Sequence, residues 1–261
     1  MACRINRTEE WAIRIEHELH GKDGCFITLT YDDLNLPEGN TLVKSDLQKF
    51  IKRLRWHIDK PIKYYACGEY GENTDRSHYH MIVIGWIPED VYVCPNKRRS
   101  SGLLAGLWSA GFVSVDPVTD KSIRYVTGYI RKKLYGDMAK EYGDRTPPFA
   151  LMSLGIGKDF ADRNMDKMER GFLTKNGRKI PIPRYYRERM KKDPDRAWSL
   201  HENASINKEK MLDDEVSISK AENLASRKAL KAEFKKRENA DNKRRSLELK
   251  AKSSLVKKGR L

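Results

Sequence analysis

Cysteine is scarce in this chain of 261 residues, with four thiols at positions 3, 25, 67 and 94 and no Cys-x-x-Cys pair. So sparse a set excludes a disulfide framework, and reduced, mostly buried thiols are expected. Long apolar runs are missing too: nothing approaches the roughly 20 residues that a spanning helix needs, and no N-terminal signal pattern is present. A soluble, intracellular protein is the expectation. There is no Gly-x-x-x-x-Gly-Lys-Ser/Thr loop, so nothing marks an ATP-driven enzyme. No internal repeat is visible.

Positive charge, by contrast, is in excess. The chain holds 52 Lys+Arg against 37 Asp+Glu, a formal net charge of +15. A polyanionic partner follows, and nucleic acid leads because it offers closely spaced phosphates, whereas a membrane-binding role has no apolar segment to support it. The length suits one domain with extensions. Beyond residue 190 a charged tail is expected, 191–261. From Ser205 it carries 17 Lys+Arg and 9 Asp+Glu with no Gly or Pro until Gly259. Few large apolar residues occur there, so it reads as a solvated helix or a disordered basic arm.

Residues 1–190 alternate helix and strand signals. Thr8 is placed to cap a first helix with apolar Trp11, Ile15 and Leu19, which Gly21 and Gly24 end. Phe26 to Tyr31 alternates as a strand. A helix from Ser45, with Gln48 completing a capping box, buries Leu47, Phe50, Ile51, Leu54 and Ile58. Strands follow at Ile62 to Tyr70 and His78 to Trp86, and their short connection favours an antiparallel pair. A short helix around Leu103 to Ala110, a strand at Phe112 to Val115 ended by Pro117, and a helix from about Ser122 to Leu134 complete the series. The order predicts an α+β fold, a mainly antiparallel sheet flanked by helices. After Gly136 the signals weaken, though Asn176-Gly177 marks a hairpin turn within Phe172 to Ile182.

Chemistry concentrates at Arg76-Ser-His-Tyr-His-Met-Ile-Val-Ile-Gly85. Residues two apart on a strand share a face, so His78 and His80 point together, with Ile82 and Ile84 beyond them and Tyr79, Met81 and Val83 opposite. The antiparallel pairing brings Glu69, in Gly68-Glu-Tyr-Gly71, beside them. Two imidazoles and one carboxylate leave coordination positions open for phosphate oxygens, which suits Mg²⁺ or Mn²⁺, the latter better matched to two nitrogens. Cys67 shares the face of Glu69 and offers a fourth ligand for structural zinc, but residues two apart along a strand lie nearly 7 Å from each other. Glu72, in the loop, is a second carboxylate candidate. On the last helix Tyr125, Gly128, Tyr129 and Lys132 fall within about a quarter-turn, opposite Ile123, Val126, Ile130 and Leu134. Gly128 costs the helix about 1 kcal/mol relative to Ala, and close approach of a backbone or a DNA strand is a reason to accept it.

Taken in order, Phe26-Ile-Thr-Leu-Thr30, His78-Tyr-His80 and Tyr125-x-x-x-Tyr129-x-x-Lys132 resemble the three motifs of the His-hydrophobic-His (HUH) rolling-circle replication initiators. The likeness is strongest to the two-tyrosine initiators of the microviruses, above all their gokushovirus branch, which Gly68-Glu-Tyr-Gly71 and Pro183-Arg-Tyr-Tyr186 also resemble. It covers roughly residues 2–190, and Ser77 stands where the family often has Pro. The resemblance implies an HUH endonuclease fold of ferredoxin or RRM-like type. It implies that His78, His80 and Glu69 bind the metal, that Tyr125 and Tyr129 are nucleophiles, and that Lys132 assists at the scissile phosphate. It further implies nicking of single-stranded origin DNA with a 5′-phosphotyrosine link, beside the replication machinery in the cytoplasm of a bacterial host. Two alternatives stand beside it: an HUH transposase or plasmid initiator, and a non-catalytic RRM-like binder stacking bases on Tyr64, Tyr65 and Tyr79.

Overall fold

The structure is a computed structural model that describes residues 2–71, 74–132, 142–196, 198–200 and 202–203, with the side chains of 2–6 and 129–132 outside that description. The tail from residue 204 and the loop residue Glu72 therefore lie outside the described residues. In chain order the elements are α1 (Ala2–Leu19), β1 (Gly24–Tyr31), α2 (Lys44–His57), β2 (Lys63–Tyr70), β3 (Ser77–Ile84), β4 (Val91–Val93), β5 (Arg99–Ser101), α3 (Gly102–Trp108), β6 (Gly111–Pro117) and α4 (Asp120–Lys132). Beyond them come β7 (Phe149–Met152), α5 (Lys158–Arg163), α6 (Met165–Met168), β8 (Phe172–Lys175), β9 (Arg178–Pro181) and α7 (Arg184–Met190).

Five strands form one sheet in the order β6-β1-β3-β2-β7, and every pairing in it is antiparallel. This is the α+β fold that the sequence predicts. Strict alternation along β1, half-buried and buried in turn, divides its residues between the two faces. One face carries Leu29, Tyr79, Met81 and Val83 against Leu47, Phe50 and Leu54 of α2 and Trp108 of α3. The other carries Tyr65, Cys67, Ile82 and Ile84 against Ala12 and Ile15 of α1 and Ile123 and Val126 of α4. Closing each face with a helix at period 3.6 against strands at period 2 gives two apolar layers, and the candidate ligands lie on the second face.

Two predicted helix starts move. Helix α1 begins at Ala2, and Thr8 is buried within it rather than capping it. No Gly or Pro interrupts residues 2–7, so the helix continues past the local capping signal. Helix α2 starts at Lys44 behind Val43, without any side-chain cap, so the Ser45–Gln48 capping box does not form. A buried tyrosine takes its place: the Val43 N–H donates to the Tyr79 hydroxyl at 2.9 Å, and that hydroxyl donates to the Val43 carbonyl at 3.0 Å. Tyr79, the aromatic between the two histidines, is thus a tether from β3 to α2.

The segment after residue 142 contains more order than its sequence advertises. Strand β7 adds an edge to β2. A third apolar cluster joins Ile13 of α1 to Ala161, Met168, Leu173, Ile182, Tyr186 and Met190, which locks α5, α6, α7 and the β8–β9 hairpin onto the first helix. The predicted turn is present, with Asn176 and Gly177 both at positive φ, 49° and 75°.

Candidate metal centre and tyrosine helix

The register of β2 against β3 sets the site. Glu69 pairs directly with His78 and Cys67 with His80, and across β1 Thr30 pairs with His78 and Thr28 with His80. The carboxylate and both imidazoles converge: Glu69 Oε1 lies 2.8 Å from His78 Nε2 and 2.8 Å from His80 Nε2. These three residues are the one cluster of potential metal ligands among the described residues. Glu69 is 3% exposed and His80 7%, so their charges are held away from water.

Proton accounting tests whether a cation belongs there. His78 Nδ1 lies 2.9 Å from the Arg76 carbonyl, which can only accept, so Nδ1 carries the proton. A neutral His78 therefore turns a lone pair from Nε2 toward a carboxylate oxygen 2.8 Å away. Two acceptors at that distance repel, and only a second proton or a cation relieves them. The spacing favours the cation geometry proposed from sequence: octahedral ligands at 2.0–2.1 Å are about 2.9 Å apart along an edge, whereas tetrahedral ones are about 3.3 Å apart. Partners outside the cluster hold the rings. Arg76 supplies its carbonyl to His78, Thr28 Oγ1 lies 2.9 Å from His80 Nδ1, and Phe26 stacks on the His80 ring at 5.3 Å.

Without a cation the three groups share charge unevenly. Burial pushes the Glu69 carboxyl upward, but the two imidazoles outweigh it and hold the group below the usual carboxylate range. Burial lowers His78 as well, yet contact with Glu69 and the Arg76 carbonyl leaves it above its ordinary value. For the more deeply buried His80, burial together with the neighbouring His78 wins over Glu69, and the ring is held below its ordinary value. An ionised carboxylate beside one readily protonated and one neutral imidazole is a cluster set to exchange protons for a metal.

Helix α4 brings the tyrosines over this face. The Tyr125 hydroxyl donates to Glu69 Oε1 at 3.1 Å, its ring packs edge-on against His80 at 5.1 Å, and it remains 44% exposed. It therefore touches the cluster from the side open to a substrate. Tyr129 and Lys132 follow on the same helix, and their side chains lie outside the described residues. Gly128 is half-buried, and a Cβ built there meets nothing within 4 Å, so no described protein segment explains its small size.

Other candidates separate from the site. Cys67 is sealed in the apolar layer with Tyr65 and Ile82, where burial raises its thiol well above the normal range. It is not part of the cluster, and the tetrahedral zinc alternative loses its fourth ligand. Tyr65 and Tyr79 are both fully buried, so the reading in which they stack bases fails: their rings are spent on the two cores. Thr28 and the Arg76 carbonyl went unassigned from sequence. Thr28 had a signal, since it sits in the alternating Phe26-Ile-Thr-Leu-Thr30 strand facing His80; the Arg76 carbonyl had none, because backbone groups carry no residue-type signature.

Residues 24–134 match the family of the replication-associated protein ORF2, a span that runs from β1 through the helix of both tyrosines and includes all six candidate site residues. Replication-associated protein VP4 of Bdellovibrio phage phiMH2K is 32% identical over 212 residues, covering 75% of this chain and 67% of that protein. The chain belongs to the phage replication-associated protein family. Two further members are similar along much the same length: ORF4 of Chlamydia phage 1, 32% identical over 73% of this chain and 52% of its own, and ORF2 of Spiroplasma virus 4, 28% identical over 74% and 66%. The chain thus spans about half to two thirds of these relatives. No solved structure matches the chain. Among the described residues no helix is long and apolar enough to cross a membrane.

Proposed function

We propose that this replication-associated protein is a metal-dependent nuclease and strand transferase that starts rolling-circle replication by nicking single-stranded origin DNA. The observation that carries the reading is the Tyr125 hydroxyl donating to Glu69 Oε1, the oxygen both imidazoles share. A candidate nucleophile and a candidate metal site meet at one atom.

His78, His80 and Glu69 are the residues that would hold Mg²⁺ or Mn²⁺; when bound, the cation supplies positive charge that stabilises the extra negative charge on the phosphate in the transition state. Tyr125 contributes the attacking oxygen. Phenol is a weak nucleophile with its ordinary pKa near 10, so orientation matters, and the bond to Glu69 fixes where its oxygen sits. The phenol oxygen forms a bond to phosphorus as the P–O3′ bond breaks. The phenolic proton departs as the ester forms, and the 3′ oxygen takes up a proton to leave as a free hydroxyl. The product is a 5′-phosphotyrosine, which conserves the bond energy for rejoining by the reverse attack. On the family resemblance Tyr129 is the second nucleophile and Lys132 the cation at the scissile phosphate. The open space beside Gly128, between the tyrosines, leaves room for a DNA strand. The basic residues 191–261 add non-specific attraction for the template, and the work is done in the cytoplasm of the bacterial host beside its replication machinery.

The test is incubation of the full chain with labelled circular single-stranded DNA and Mn²⁺, followed by denaturing electrophoresis. A covalent protein–DNA adduct absent from Tyr125→Phe/Tyr129→Phe supports the reading, and no adduct from the wild type opposes it.

A further inference from the structure

The face of the sheet that carries the metal cluster is only partly covered. Helices α1 and α4 pack over β2 and β3, whereas Thr28, Thr30, Phe112 and Ser114 on β1 and β6 line an open groove together with Tyr92 and Arg98 of the β4–β5 hairpin. Register makes this groove continuous with the site. One row across the sheet reads Glu69, His78, Thr30, Phe112, and the next reads Cys67, His80, Thr28, Ser114. Thr28 belongs to both places, since its hydroxyl touches the His80 ring. Phe112 is two strands away from His78, about 10 Å at the usual strand spacing.

The chemistry of the groove is that of a nucleic-acid surface. Phe112 is 69% exposed on a strand whose next residue, Val113, is buried, so its ring is turned outward onto the metal-site face with no apolar layer over it. Tyr92 is 50% exposed beside it. The hairpin turn bears Lys97, Arg98 and Arg99 in succession, all exposed. A flat ring ready for stacking, next to a run of cations and continuous with a phosphate-cleaving site, matches single-stranded DNA. The hairpin is anchored, not loose: Ser100 Oγ donates to the Val113 carbonyl at 2.8 Å, and Asp90 accepts from Ser101 Oγ at 2.6 Å and from the Leu103 N–H at 2.7 Å. Gly111 lets β6 start this close to β1, because a Cβ there would fall 2.3 Å from the Asp32 nitrogen.

We propose that Phe112, with the cationic β4–β5 hairpin beside it, is a base-stacking subsite that holds an unpaired nucleotide flanking the scissile phosphate. The inference rests on the DNA-nicking reading for the position of that phosphate, but the subsite acts in binding and is measured without cleavage.

The experiment is fluorescence anisotropy of the full chain with a labelled single-stranded origin oligonucleotide in metal-free buffer, where nicking is not read. Phe112→Ala should weaken binding about tenfold, the usual scale of one base–aromatic stack. Phe112→Trp should restore it, and Phe112→Leu, which keeps apolar bulk without a π-face, should not. Trp56→Ala removes an aromatic 87% exposed on α2, across the sheet from the groove, and should leave affinity unchanged. An abasic scan of the oligonucleotide adds the pairing: one position should cost affinity in the wild type and cost nothing further in Phe112→Ala. The proposal is overturned if Phe112→Ala and Phe112→Leu bind as tightly as the wild type, or if the abasic penalties are the same in both proteins. Loss of binding in these variants alongside a wild type that forms no covalent adduct with Mn²⁺ would sink the nuclease reading and leave the subsite standing.

Discussion

Tyr125 and Glu69, 56 residues apart in sequence, meet through a 3.1 Å hydrogen bond at the carboxylate oxygen that also faces His78 and His80. Helix α4 and the β2–β3 hairpin are separate elements, so this contact exists only because Ile123 and Val126 of α4 pack into the layer that holds Ile82. The core beneath the site aims the tyrosine at the metal ligands.

If the cluster holds a cation, the cation stabilises the folded chain. Adding Mn²⁺ in large excess over its dissociation constant should raise the thermal midpoint, since a hundredfold excess contributes about 2.7 kcal/mol. His78→Ala should abolish that rise and the nicking, while DNA affinity measured without metal changes little because phosphate contacts elsewhere dominate it. A His78→Ala protein with the wild-type Mn²⁺ shift would place the metal somewhere else.

Gly128 separates structure from function by sign. Open space surrounds its absent Cβ, so Gly128→Ala should stabilise the helix by roughly 0.5–1 kcal/mol. The same methyl should reduce adduct formation if a DNA strand passes between the tyrosines. Equal or better cleavage in a more stable Gly128→Ala protein would remove close DNA approach as the reason for glycine here.

His17 predicts how the fold responds to acid. Burial, then nearby Lys175 and His20, lowers its folded pKa from 6.5 to about 4, and its ring stacks on Phe160 at 3.5 Å with Tyr186 hydroxyl 3.1 Å from Nδ1. Between pH 6.5 and 4 the unfolded chain takes up a proton that the folded one refuses. Stability from this residue is therefore full above pH 6.5 and falls as pH drops toward 4. The thermal midpoint should decline across pH 6.5 to 5, and His17→Gln should flatten that decline. An unchanged slope in the variant would assign the acid sensitivity to other groups.

How much of this could be read before the structure was known varies with the physics of each signal. The β2–β3 pair and its ligands were legible because a period of two fixes the faces of His78 and His80, and a short connection fixes the antiparallel partner. The tyrosine stripe of α4 was legible for the matching reason at period 3.6. The helix starts were not: Tyr79 replaces the capping box at α2 through contacts 36 residues distant, beyond the reach of local propensity. Strand β7 and helices α5 to α7 are four to seven residues long, too short to show a period, and are held by the long-range cluster around Tyr186 and Met168.

The central claim is that tyrosines of α4 become covalently joined to DNA at the Glu69–His78–His80 centre, and the single and double tyrosine variants test it most directly. With a labelled single-stranded origin oligonucleotide and Mn²⁺, Tyr125→Phe and Tyr129→Phe should each retain some adduct on denaturing gels. Each should fail at repeated circle production, because a second round at the regenerated origin needs a fresh nucleophile, and the double variant should form no adduct. Adduct in the double variant, or its complete loss in one single variant while the other replicates through many rounds like the wild type, would contradict the account.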